Sequence, residues 1–320
     1  MQLIESSVGL IDIKDPFEKI ETVGRICYKS SPKGQPKDFY KNLCDRGHYA
    51  MVEHATFVFD VSERVYYSIL NGDPQKHKFL NFTRTVLSSG GTRCLVSGNL
   101  RALNDTDCVD LIVSLYEIDP LLVYNAWWAD WMENHPITDE DRKLLSKVCN
   151  VVDLDTIEDL TWEEWLAHKY LSFHFICDRG VSHELVRHRP ASYAQESTRY
   201  CNYSKEKFGS EITYIKPANF DKWGDYERSV FIDFLEDCEK AYMKLLKYNH
   251  PPQEGRAVLP NALKTEIVMT ANCGEFEHFF NLRSKGTTGA PHPDMKIVAD
   301  KAFQIYYNLS KFSPINQDVK

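Results

Sequence analysis

"HKYLSFHFICDRGVSHELVRHRPASYAQESTRY" spans residues 168–200 and holds a strand signal followed by a dense polar cluster. Through "HKYLSFHFICDRG" (168–180) apolar and polar residues alternate and Gly180 closes the run, which predicts a strand. "SHELVRHRPASY" (182–193) predicts a short helix with Ser182 as N-cap, disturbed at Pro190. On that helix Glu184, Arg187 and His188 share one face, while Arg189 points elsewhere. A bent loop after Pro190 would let Gln195, Ser197 and Arg199 curl back. Forked guanidinium donors, hydroxyls and an amide are the equipment for gripping a phosphate and reading a polar heterocycle. A solvated face laced with Glu–Arg pairs accounts for the same residue types equally well.

The flanks predict a mixed chain. Residues 17–30 and 36–49 read as helices, the second stopping at Gly47, and "HATFVFDVSE" (54–63) alternates as a strand. Between 72 and 165, "SSGGTRCLVSGN" (88–99) gives loop and strand punctuation. Residues 100–116, 120–135 and 138–148 read as helical, and "TWEEWLA" (161–167) is ambiguous. No catalytic constellation emerges there, so 72–165 is expected to be a helical insertion or subdomain in a single domain spanning 1–320. Downstream, helices are predicted over 231–248, 260–272, 274–284 and 294–310.

Composition narrows the function. The 320 residues are 43% hydrophobic and 26% charged, an ordinary globular balance. A net charge of −8 argues against a general nucleic-acid binder and makes the cationic segment at 187 a local feature suited to small anions. No apolar run approaches the length of a membrane span, and the N-terminus lacks a signal-peptide pattern. Nine cysteines, widely spaced and without a C-x-x-C pair, predict reduced thiols, no metal site and a cytoplasmic setting.

The polar cluster also resembles a family signature. "RHRPASYAQES" (187–197) fits the R-H-R-x7-S motif of flavin-dependent thymidylate synthases. "GRICYKS" (24–30), "RGHYAMVEHATFVF" (46–59), "GRAVLPNALKTEIVMTAN" (255–272) and "HFFNLR" (278–283) resemble further blocks of that family, in the same order. The resemblance implies an α/β fold, with a mixed sheet flanked by long helices and a homotetramer. The implied activity is reductive methylation of dUMP to dTMP with methylenetetrahydrofolate and NADPH through FAD. That class of methyltransferase needs no protein nucleophile. The Pro-Cys-His context of the other thymidylate synthase class is absent here.

By the same resemblance Arg283 would stabilise the ionised pyrimidine, and His48 would stand beside the isoalloxazine. Glu184, Arg187, Gln195, Glu196, Ser197, Thr198, Arg199 and Arg256, with Arg283, would bind dUMP. Ala50, Glu53, Arg187, His188, Arg189, Gln195, Asn272 and His278 would contact FAD. Ser197 reads as a binding hydroxyl because no His–Asp relay accompanies it, and His54 reads equally as a structural histidine.

Departures from the family pattern are Ala50 for Ser or Thr, Glu184 for Gln, and Gly274 and Glu277 at positions often held by Arg. The 284–295 loop is also longer. Two other readings stay open: a flavin-dependent methylase or hydroxymethylase of another pyrimidine nucleotide, and a nucleotide-binding relative without turnover.

Overall fold

A computed structural model describes residues 1–206 and 209–309. Ten strands run through them: β1 (Gln2–Ile4), β2 (Ser7–Leu10), β3 (Thr56–Val61), β4 (Asn81–Val86), β5 (Thr92–Asn99), β6 (Cys149–Val151), β7 (Tyr170–Asp178), β8 (Ser192–Gln195), β9 (Thr213–Ile215) and β10 (Lys264–Asn272). One four-stranded sheet has the order β2-β7-β10-β8 and a second has β4-β5-β3-β6. Helix and sheet are mixed as predicted, but no sheet of mixed strand direction forms among the described residues. Both four-stranded sheets are antiparallel throughout, and the parallel pair β1–β9 stands apart.

The helix predicted over 260–272 is instead the strand β10. It faces β7 from Lys264↔Asp178 to Asn272↔Tyr170 and takes β8 on its other edge. Its residues from Ile267 to Ala271 are all buried, so the two-residue alternation that marks a half-exposed strand is missing. Thr265, Ile267, Val268 and Thr270 are β-branched, and that chemistry favours the extended chain.

Helices Cys273–Arg283 and Pro293–Leu309 pack on this sheet. Phe173 meets Phe276 edge-on at 4.9 Å, and Phe175, Phe279 and Phe280 are buried beside them. Such aromatic pairs add about 0.5–1.5 kcal/mol each beyond their area burial. Helix Pro16–Tyr28 starts at Asp15, whose carboxylate accepts from Glu18 N at 2.8 Å, and buries Phe17, Ile20 and Val23. A Cβ at Gly24 would stand 2.7 Å from the Phe39 ring, so glycine lets helix Pro36–Asp45 close in. The predicted 231–248 helix runs over Asp225–Lys247 and sets Leu235 and Tyr242 against Tyr214. The last predicted helix reaches Leu309; its Ser310 lies outside the described residues.

The 72–165 stretch carries the strands β4, β5 and β6 as well as helices. The helix predicted over 100–116 divides into Leu100–Asn104 and Val109–Ile118. That over 120–135 reduces to a short turn and Ala126–Asn134. Buried Asn104 explains both breaks: its amide donates to Leu100 O and Leu122 O, and its carbonyl accepts from Tyr124 N and Asn125 N. No helix among the described residues is long and apolar enough to cross a membrane.

Candidate functional site

The polar cluster is built by a helix that stops before it. The helix runs over Arg179–Leu185 with Asp178 as N-cap, its carboxylate accepting from Val181 N at 2.8 Å. Ser182, the predicted cap, lies inside and donates to Arg179 O. Arg187, His188 and Arg189 therefore stand in a turn, not on a helical face, and the predicted bent loop is partly the strand β8. The turn is latched from β8: the Tyr193 hydroxyl shares its one proton between Leu185 O at 2.8 Å, which also accepts from His188 N, and His188 O at 2.6 Å. Arg189–Pro190 is a cis peptide bond.

This turn meets the end of helix Cys273–Arg283. Arg283 Nε donates to His188 Nε2 at 3.0 Å, and its Nη1 lies 2.9 Å from Glu184 Oε2. His188 is buried, and burial, with the charges of Arg283 and His278, pushes its imidazole down to about 4. A neutral ring can accept, as the geometry requires. Glu184, one of the residues that depart from the family pattern, thus pairs with an arginine. His278 is exposed, its ring 6.4 Å from that of His188.

A second group forms where β8 leaves the sheet. Gln195 donates to Ser182 Oγ at 2.8 Å and to Thr265 Oγ1 at 3.2 Å. Glu196 turns inward, 2% exposed, and accepts from Tyr203 Oη at 3.0 Å and Lys264 Nζ at 2.9 Å. Lys264 also pairs with Glu266, which Lys29 and His174 contact as well. Burial alone would raise the Glu266 carboxyl, but these donors hold it well below the usual carboxylate range. Anchored on this network, Ser197 N donates to Cys27 O at 3.0 Å. Thr198 Oγ1 accepts from Arg256 Nη1 at 3.3 Å, and Arg199 Nε donates to Gln253 Oε1 at 3.2 Å. Two hydroxyls and two exposed guanidiniums gather here, a donor set for a phosphate. His48 Nδ1 lies 3.2 Å from Tyr28 Oη, and the Tyr28 ring meets that of Tyr200.

The third group surrounds a cavity of about 1130 Å³. Glu53, Arg189 and Asn272 line it, three of the predicted flavin contacts. Its remaining wall includes Lys76, Lys78, Phe79, Asn81, Asn99 and Arg101, from the stretch in which no constellation was predicted. Arg101 Nη1 lies 2.7 Å from Glu53 Oε1. Asn272 also caps the helix it precedes, accepting from Glu275 N at 2.9 Å. Ala50 and His48 are exposed and do not line this cavity, and neither does Gly274, whose missing Cβ would face Leu166 O at 3.5 Å. His54 is buried and bonded through Nδ1 to Thr270 Oγ1 at 2.7 Å; burial, then the charge of Lys19, pushes it down to about 3.

A cationic turn, a donor set for phosphate and an adjoining polar cavity define an α+β protein equipped for anionic ligands. The chain belongs to the thymidylate synthase complementing protein family, whose model matches residues 123–310. It is 36% identical over 146 residues to a flavin-dependent thymidylate synthase of Geobacter sulfurreducens, covering 45% of this chain and 61% of that one. Against the enzyme of the same description from Pyrococcus abyssi it is 32% identical over 162 residues, covering 49% and 62%. The chain thus spans about six-tenths of the length of these relatives. Among solved structures, a UMP/dUMP methylase PolB from Streptomyces cacaoi bound with 5-Br UMP aligns over 97% of this chain and 92% of that chain. Its identity is 13% and its TM-score 0.41, too slight a likeness to build on.

Proposed function

We propose that this chain is a flavin-dependent thymidylate synthase, converting dUMP to dTMP with methylenetetrahydrofolate and NADPH as co-substrates and FAD as cofactor. One observation carries the reading: His188 of the R-H-R turn and Arg283 of "HFFNLR", 95 positions apart, are hydrogen-bonded. Two motifs singled out separately in the sequence thereby form one unit.

In this reading Arg283 is the electrophilic partner of the pyrimidine. Glu184 and His188 hold two edges of its guanidinium, which fixes the remaining donors toward charge developing on a uracil oxygen. Ser197, Thr198, Arg199 and Arg256 take the nucleotide phosphate. Gln195, fixed by Ser182 and Thr265, presents its carbonyl oxygen toward the base. Glu53, Arg189 and Asn272 would hold the flavin in the cavity, whose volume and polar lining suit a dinucleotide. When bound, the flavin supplies the redox and one-carbon-carrier chemistry. The proposal includes a homotetramer in the cytoplasm, with Arg187 and His48 completing the site.

The test is tritium release from [5-³H]dUMP with methylenetetrahydrofolate, NADPH and FAD present. Release that requires all four components supports the reading. No release from a folded, flavin-loaded protein overturns it, and a panel of other pyrimidine nucleotides then identifies or excludes a different substrate.

A further inference from the structure

The segment from Gln75 to Asn81 is built to present two side chains to the cavity. His77 is buried, with Nε2 2.8 Å from Asp107 Oδ1, and Leu80 is buried against β5. A Cβ at Gly98 would stand 2.6 Å from Leu80 Cδ2, and one at Gly72 would stand 2.7 Å from His77 Cε1, so two glycines admit these anchors. Between them Phe79 is left 57% exposed although it lines a cavity. The ammonium of Lys78 lies 5.1 Å from its ring centroid.

The charge of the cavity points the same way. Its lining holds four cations, Lys76, Lys78, Arg101 and Arg189, against two acids, Glu53 and Asp105, in a chain of net charge −8. Arg101 is committed to Glu53, and Lys76 reaches Asp107 at 3.4 Å. Lys78 and Arg189 have no acidic partner among the described residues. A flat apolar ring beside two uncommitted cations matches a ligand with a heteroaromatic face joined to phosphates.

We propose that Phe79 and Lys78, with Arg189, form the subsite for the adenosine diphosphate half of the dinucleotide cofactor. Phe79 stacks on the purine, and Lys78 and Arg189 neutralise the diphosphate. This rests on the flavin reading given above, and it assigns a role in ligand binding to residues 75–81.

The experiment titrates FAD, FMN and ADP into the full chain and into Phe79→Ala, Lys78→Ala and Phe79→Trp, with circular dichroism confirming the fold of each. The wild type should bind FAD more tightly than FMN, because FMN lacks the adenylate half. Phe79→Ala and Lys78→Ala should weaken FAD and ADP by about ten- to a hundredfold. FMN, which has no purine and carries one of the two phosphates, should stay within about twofold in Phe79→Ala and weaken less than FAD in Lys78→Ala. Phe79→Trp should restore FAD binding. Variants that leave FAD unchanged, or weaken FAD and FMN equally, overturn the subsite while the flavin reading stands. A wild type that binds ADP but neither flavin overturns the flavin reading and keeps the purine subsite. A wild type that binds none of the three overturns both.

Discussion

Arg283 Nε donates to His188 Nε2 across 3.0 Å, and burial keeps that imidazole neutral so that it can accept. The arginine is thereby aimed by a ring that carries no competing charge. Arg283→Ala should collapse thymidylate formation by about 10²- to 10³-fold while FAD binding survives, as for loss of one preorganised donor. Ser197→Ala should act through KM for dUMP and lower turnover less. Steady-state kinetics with flavin titrations check both; a dead Ser197→Ala beside an active Arg283→Ala reverses the roles.

The same neutral imidazole makes the fold sensitive to acid. Histidine in the unfolded chain takes its proton near 6.5, whereas native His188 takes it only near 4. Between those values the unfolded state binds more protons than the native one, so stability must fall as pH drops through the window. His54, pushed down to about 3, extends the loss further. Urea midpoints should decline steadily from about pH 6.5 to about pH 4, with a shallower decline in His188→Asn. A flat midpoint across that range contradicts the assignment.

Glu196 is a carboxylate buried between Tyr203 and Lys264. Glu196→Ala removes one of the two carboxylates on Lys264, which keeps Glu266, and should cost about 1.5–3 kcal/mol, the range for a lost hydrogen bond between charged groups. Glu196→Gln, which keeps the shape and one acceptor, should cost less. Denaturant unfolding of both variants decides this, and equal stability of Glu196→Ala and wild type refutes it.

None of the nine cysteines should serve as a nucleophile. All are free thiols and seven are buried. Cys27, the one whose carbonyl holds Ser197, is pushed up to about 11 by burial and by the charge of Glu196, far from a thiolate at neutral pH. Single Cys→Ala replacements should each retain turnover. One silent variant with intact fold and bound flavin would overturn the claim.

The polar core of the site was legible because its chemistry lies in side-chain types at short spacing. Arg187 to Arg199 could be read as anion-binding equipment before any fold was known, and the alternation of 168–180 marked β7 directly. What failed was period. In β10 burial on both faces erases the alternation, so "KTEIVMTAN" reads as readily helical, and only its β-branched residues point to a strand. The helix before R-H-R was displaced because two capping residues compete, and Asp178 takes the role assigned to Ser182. The cavity wall at 75–101 was missed because its residues converge only when β4 and β5 pair. One signal was available: the tripeptide Asn-Leu-Arg occurs at 99–101 as well as at 281–283.

Strand β3 has a consequence for any attempt to shorten the chain. It lies between β5 and β6, and both neighbours come from the stretch after residue 72. Excising 72–165 would therefore bare both edges of Thr56–Val61, a Phe- and Val-rich ribbon with unpaired amides on each side. Such a ribbon recruits other chains. A chain shortened in this way should aggregate rather than fold, unless β3 is removed or recapped along with the deleted stretch.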